Sequence, residues 1–329
     1  MSICAVVGLS VGFFILVIFL SLIQSADSTP TALYNVEIQP NANGARKILS
    51  RSSPAVLKLN IQGSIGGELL NTHTVNTVLT ESRENTLRGD RVKAVLVTIN
   101  SPGGTITDAD GIYRAILQYK KQHQVPVYAF VDGLCASGGM YIASACDKIY
   151  ATDASLIGSV GVLTGPFMNV SQLLEKFGVS SLTLTAGKGK DDLNPLRAWA
   201  PGEEKPLKEI VDYYYNYFLD VVTKARPNLS REKLISDYGA RVFPAQQAVS
   251  YGYIDEAGAA YESVLSKLLK EIGIEDDYYQ VVELSKSPWA ALFQAESSPL
   301  FGKIKHTFSL PYELEPALMS QPYLYLYRP

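Results

Sequence analysis

The chain opens on an unbroken apolar run. From residue 3 to residue 24 no side chain is charged, and Ile3-Cys-Ala-Val-Val-Gly-Leu-Ser-Val-Gly-Phe-Phe-Ile-Leu-Val-Ile-Phe-Leu-Ser-Leu-Ile-Gln24 is long enough to cross a bilayer as a helix. No basic residue precedes it, and it is longer than the apolar stretch of a cleaved leader, so residues 1–25 read as a retained transmembrane anchor. The first basic residue beyond it is Arg46, so flanking charge does not set its orientation. Residues 26–54 carry Pro30, Pro40, Asn41, Asn43 and Gly44 and read as an irregular tether.

The pattern then changes. Residues 55–61 mix alternation with β-branched side chains and stop at Gly63, which predicts a first strand. A helix is expected over residues 73–87. Residues 92–99 are almost continuously apolar, the pattern of a strand buried on both faces of a parallel sheet. Ile112, Ala115, Ile116 and Tyr119 recur at helical spacing, with Thr107 and Asp110 placed as a capping box. A second apolar strand at residues 125–130 leads to Gly133 and to a helix starting near Ser137. Strand, helix and strand alternate, so the fold class is α/β, built from βαβ units.

Further strands are expected at residues 148–151, 160–164 and 181–185, with a short helix at 171–177 and a long one at 202–224. The Tyr213-Tyr-Tyr-Asn-Tyr-Phe218 cluster on that long helix reads as packing rather than as a ligand surface. The folded domain is drawn over residues 55–270. Residues 271–329 form a C-terminal arm, apolar but interrupted by Pro311, Pro316 and Pro322, too broken for a second span and suited to packing or to a membrane surface.

Composition removes several function classes. Of 329 residues, 29 are basic and 32 acidic, a net charge of −3 that offers no field for a phosphate backbone, so nucleic acid is not an expected partner. Cys4, Cys135 and Cys146 form no Cys-x-x-Cys pair and no disulfide framework, and no metal or cofactor is called for. Gly158-Ser-Val-Gly161 is only loosely like a phosphate turn, and a Walker motif is absent. Gly8-Leu-Ser-Val-Gly12 matches a nucleophile-elbow pattern, but it lies inside the anchor without the strand-turn-helix context.

Two glycine-rich turns follow consecutive strands and therefore open at the same carboxyl-terminal edge of the sheet. Ser101-Pro-Gly-Gly104 presents unobstructed backbone N–H groups, as an oxyanion hole requires. Cys135-Ala-Ser-Gly-Gly139 sets the Ser137 hydroxyl at a helix N-terminus among small residues, which makes Ser137 the candidate nucleophile. A serine needs a base. His73, His123 and His306 all sit in surface-like contexts. A lysine can replace histidine where its pKa falls from the free value of about 10.4, and Gly187-Lys-Gly-Lys190 supplies Lys188 and Lys190.

Asn100-Ser-Pro-Gly-Gly104, Ala136-Ser-Gly-Gly-Met-Tyr141, Gly158-Ser-Val-Gly-Val162, Gly187-Lys-Gly-Lys-Asp191 and Gly239-Ala-Arg-Val-Phe243, followed by Ala248, Gly252 and Ile254-Asp255, stand in one order and spacing. Together they resemble the signal peptide peptidase A family of serine proteases, in its short, single-repeat form, over about residues 55–260. The resemblance implies a Clp protease/crotonase-like fold, Ser137 as nucleophile, Lys190 rather than Lys188 as general base, and Gly103 and Gly104 framing the oxyanion hole. It also implies a single-pass protein of the bacterial cell membrane, its catalytic domain extracytoplasmic. Its substrates would be membrane-associated peptides such as released signal peptides, and it would form a homo-oligomer whose sites are shared between subunits. Met140, Ala240 and Asp192-Leu-Asn-Pro195 depart from the family pattern and bear on substrate preference. The alternatives are a crotonase-like acyl-CoA enzyme and a catalytically silent membrane scaffold.

Overall fold

The computed structural model describes residues 34–286 and 324–326; the anchor expected at residues 1–25 lies outside them. The chain divides into two units, residues 38–283 with 306–329, and residues 1–37 with 284–305.

The larger unit is built on a parallel sheet. Strand β2 (Ala55–Gln62) pairs with β3 (Val92–Ser101), and β3 pairs with β5 (Val127–Ala136). β6 (Lys148–Ala151) and β9 (Glu256–Ala257) follow outward, and β10 (Gln280–Lys286) pairs in parallel with β2 on the other side. The sheet order is β10-β2-β3-β5-β6-β9. Val92–Ser101 is buried at eight of its ten positions, as its continuous apolar run requires of a central strand. In the smaller unit the described residues belong to β1 (Tyr34–Gln39) and β10, where the Ser285 hydroxyl donates to Glu37 at 2.5 Å.

Helices close the faces. Helix α1 (Thr72–Glu81) packs on α2 (Ile106–His123), which buries Ile106, Ala109, Ile112, Ile116 and Tyr119. Helix α3 (Gly138–Ala143) is buried along its whole length and packs on α2. Helix α4 (Ser171–Lys176) is short, and α5 (Lys205–Ala225) is the long helix read from the sequence. Helix α6 (Ala245–Tyr251) precedes β9. Helix α7 (Tyr261–Glu271) lays Val264, Leu265 and Leu268 over Val56, Leu96 and Phe130 of the sheet, each such side chain stabilising the fold by about 1.5–3 kcal/mol.

Several expectations are corrected. The cap of α2 is Thr105 with Asp108, not Thr107 with Asp110: the Asp108 N–H donates to Thr105 Oγ1, which in turn donates to Asp108 Oδ2 at 2.7 Å. The first helix stops at Glu81, where the Ser82 hydroxyl donates to the Leu79 carbonyl at 2.6 Å and a short 3₁₀ turn follows. No strand runs over residues 160–164. The chain instead pairs at β7 (Leu156–Gly158), parallel to the far end of β5 and antiparallel to β8 (Val242–Pro244), and positive φ at Gly158 (130°) and Ser159 (54°) then turns it away. Residues 181–185 also form no strand; they are exposed throughout, with no sheet edge beside them to pair with. Tyr34–Gln39 is a strand within the stretch expected to be irregular, and β10 puts the start of the expected arm into the sheet. Among the described residues no helix is long and apolar enough to cross a membrane.

Candidate active site

The two glycine turns meet. In the β3–β5 ladder Ser101 stands beside Cys135, with an irregularity just before it, so both strands deliver their turns to one edge. Ser101 fixes the first. Its hydroxyl donates to the Gly63 carbonyl at 2.6 Å and accepts the Gly103 N–H at 3.1 Å, tying the turn to the end of β2. Asn100 fixes the second, accepting the Leu134 N–H at 3.0 Å.

Strand β4 (Gly103–Thr105) follows at once. It bridges to Ile65, whose N–H donates to the Gly103 carbonyl and whose carbonyl accepts the Thr105 N–H, each at 2.9 Å. N–H and C=O groups alternate sides along an extended strand. The Gly104 N–H and C=O therefore face away from Ile65, across the front of the Ser137 turn. No side chain fits at Gly104, since a Cβ there would lie 1.9 Å from the Ile65 carbonyl oxygen. A Cβ on Gly138 would lie 3.2 Å from the Gly104 nitrogen. The N–H of Gly138 opens α3, where N–H groups lack partners in their own helix, and the Gly138 backbone lies against that of Gly103 and Gly104.

Ser137 takes φ 54° and ψ −115°, a conformation of about 1–3 kcal/mol strain for a residue with a Cβ. It is held from both ends: its N–H donates to the Gly158 carbonyl at 2.9 Å, and its carbonyl accepts the Tyr141 N–H at 2.9 Å. Its side chain makes no helix cap. The residue is 1% exposed, and its Oγ is buried with no hydrogen-bond partner among the described residues, although a buried hydroxyl is ordinarily bonded. Cys135, two residues earlier, is no rival nucleophile: burial pushes its thiol far above the usual range.

Two further supports were not visible in the sequence. Tyr141, fully buried one turn into α3, donates its hydroxyl to Asp110 of α2 at 2.9 Å and packs its ring against Phe218 of α5 at 5.1 Å. Phe218 thus holds the Ser137 turn from behind, the packing role expected of its cluster, while Tyr213 and Tyr217 of that cluster are exposed. Behind β7, the Arg241 carbonyl accepts the Ser159 N–H at 2.7 Å, and a Cβ at Gly158 would lie 2.6 Å from that same oxygen. The Gly158 and Gly239 motifs therefore buttress the same turn.

The lysines stand apart. Lys188 and Lys190 lie in an exposed turn, and neither bonds to Ser137. The next residues form a polar knot. Arg197 pairs with Asp191 at 2.5 Å and with Glu203 at 2.7 Å, and Glu203 also accepts the N–H groups of Leu193 and Ala200. The Arg197 guanidinium, then those two amides, pull the Glu203 carboxyl down to about 2. Around the knot, Phe167, Met168, Leu173, Phe177, Leu182 and Leu184 are exposed. Among the described residues no histidine replaces the lysines, and His73 is exposed at the start of α1. His123 packs on the Tyr119 ring at 4.7 Å just ahead of β5, at the opposite edge of the sheet, and His306 lies outside the described residues.

The chain resembles known peptidases. Residues 119–275 match the model of Peptidase family S49, and residues 73–157 match that of Clp protease. The chain is 31% identical to a putative signal peptide peptidase SppA of Enterococcus faecium over 82% of its own length and 81% of the relative's. It is 36% identical to the putative protease slr0021 of a Synechocystis strain over 53% and 61% of the two chains, and 29% identical to the chloroplastic serine protease SPPA of Arabidopsis thaliana over 56% and 27%. Among solved structures, ClpP1 from Listeria monocytogenes aligns over 61% of this chain and 89% of its own, at 18% identity and a TM-score of 0.38. The family defines a serine peptidase. The chain belongs to peptidase family S49, the signal peptide peptidase A family.

Proposed function

We propose that this peptidase is anchored by residues 1–25 in the bacterial cell membrane, with its catalytic domain extracytoplasmic. There it hydrolyses membrane-associated peptides such as released signal peptides, through an acyl-enzyme on Ser137 with Lys190 as general base. The observation that carries the reading is Ser137 itself, its backbone strained and its hydroxyl buried without a partner among the described residues, beside the Gly104 and Gly138 backbones. A tetrahedral oxyanion formed by Oγ attack would be received by the Gly104 and Gly138 N–H groups. Gly103 contributes differently. Its N–H is taken by Ser101, and its φ of 100° shapes the turn that frames the hole. The peptide substrate class is supported by the likeness to relatives named as signal peptide peptidase and protease.

Lys190 does not reach Ser137 of its own chain, while the segment that carries it exposes a run of large apolar side chains. Both observations favour a homo-oligomer in which the lysine of one subunit completes the site of the next. An acyl-CoA enzyme would use the same oxyanion donors without needing Ser137, and a scaffold would need neither. Labelling with a serine-reactive fluorophosphonate separates them. The wild-type protein is expected to be labelled on Ser137, and Ser137→Ala to be unlabelled, inactive and normally folded, since no cap is lost. Peptidase activity in Ser137→Ala above a trace would overturn the assignment.

A further inference from the structure

The parallel sheet has a second edge, where its strands begin. Strands β2 and β3 start at Ala55 and Val92, and the loops that lead into them wall a cleft of about 840 Å³, at the end of the sheet away from the Ser137 turn. Arg51, Arg88, Arg91 and Lys93 line it. The one acid in its wall, Asp90, is already shared between Arg83 at 2.9 Å and Lys93 at 2.8 Å. Among the described residues Arg51, Arg88 and Arg91 form no ion pair. Three guanidinium charges thus stand uncompensated in one cleft of a chain whose net charge is −3.

Arg91 sets this cleft apart from a solvated patch. It is 7% exposed. Its guanidinium donates to the Ser53 carbonyl at 2.7 Å, the Thr86 carbonyl at 3.1 Å, the Ser53 hydroxyl at 3.3 Å and the Gln280 side-chain oxygen. These bonds tie together the starts of β2, β3 and β10, yet every acceptor is neutral. A buried charge without an opposite charge is costly. Burial accordingly pulls the Arg91 guanidinium below its ordinary value, with no anion opposing the shift. An anion in the cleft would remove that cost, and the planar guanidinium fork matches the oxygens of a phosphate group two at a time.

We infer that this cleft is an anion site whose ligand is a phosphate group, held by Arg51 and Arg88 in the field of the buried Arg91. The inference is independent of the assignment of Ser137, whose turn lies at the opposite edge of the sheet. Arg51 belongs to the stretch between the proposed anchor and the first strand of the parallel sheet, so the phosphate has two sources: the headgroup of an anionic phospholipid, or phosphate in solution. Either one binds the folded chain and not the unfolded one, and therefore stabilises it. The stabilisation acts where three strands start and leaves the catalytic turns as they are.

The test uses the full chain in nanodiscs of phosphatidylcholine, alone or mixed with phosphatidylglycerol. It reads the midpoint of thermal unfolding and, by mass spectrometry, the rate at which phenylglyoxal modifies Arg88, with the exposed Arg46 outside the cleft as internal reference. Inorganic phosphate added to the phosphatidylcholine discs is expected to raise the midpoint by about 2 °C or more, and to slow modification of Arg88 about threefold at twice its dissociation constant. Sodium chloride at equal ionic strength should do neither. If phosphatidylglycerol alone gives these effects, in phosphate-free buffer, the site stands and the headgroup is its source. Arg51→Ala/Arg88→Ala removes two exposed side chains; it is expected to fold, to keep its kcat on a peptide substrate and to lose the shift in midpoint. Arg91 is left in place, because it ties three strands together. Equal midpoints and equal Arg88 rates under all conditions would overturn the inference, as would a shift undiminished in the double variant. An effect of chloride as large as that of phosphate would reduce it to screening and overturn the site as well.

Discussion

Ser137 was legible because its chemistry and its backbone make the same demand. A nucleophile that must project from a tight strand-to-helix turn needs small neighbours, and Ala136, Gly138 and Gly139 announce them in the sequence. The oxyanion glycines were legible for the same reason, but only by type. Which amide points forward depends on how β4 bridges Ile65, a contact between residues far apart in sequence. Asp110 illustrates the limit: read as a cap, it instead receives the Tyr141 hydroxyl from another helix. Two lysines two residues apart cannot be told apart by exposure, since both are exposed. Substitution separates them. Lys190→Arg is expected to be as inactive as Lys190→Ala, because a guanidinium stays protonated and accepts nothing from Ser137. Lys188→Arg should keep most of its activity. Initial rates on one peptide substrate decide it, and the reverse ranking would give the role to Lys188.

At the scale of elements, what the sequence hid was pairing. Local pattern located β2, β3, β5, β6 and α5 because each carries its own burial signal. It failed at residues 160–164 and 181–185, where apolar residues alternate but the first is turned away after Gly158 and the second has no edge to join. β4 is the opposite case, three residues with almost no side-chain signal that place the proposed oxyanion donor. Gly104→Ala tests it. With a Cβ 1.9 Å from the Ile65 oxygen the strand must shift, and loss of one donor is expected to lower kcat by about 10²–10³. Thermal melting should remain cooperative. A variant with near-normal kcat would show that the donor lies elsewhere. The Arg197 knot behaves differently toward acid. Because the Glu203 carboxyl is drawn down to about 2, its share in ordering the lysine turn is complete above its ordinary value of 4.5 and is lost only as pH falls toward 2.

The whole chain poses a question that one copy does not answer. A serine without a partner and a lysine without a burial site are each unfavourable arrangements in isolation, and both are resolved if the exposed apolar segment around Lys190 packs on a neighbour. Such a contact is heterologous, joining the lysine surface of one subunit to the serine edge of the next, and its repetition closes a ring when the rotation between neighbours divides a full turn. In that arrangement neither Ser137→Ala nor Lys190→Ala subunits are active alone, yet each retains the half that the other lacks. Random co-assembly at equal amounts leaves about a quarter of adjacent contacts with both halves intact, so the mixture should recover up to that fraction of wild-type activity. Labelling follows the same logic, with fluorophosphonate reacting only on the subunits that keep Ser137. The mixing must be done by co-expression or by dissociation and reassembly, with subunit exchange shown by differential tags. Inactivity despite demonstrated exchange would mean that the dyad forms within one chain, through a movement of residues 187–190 onto Ser137, and would remove the shared site from the proposal.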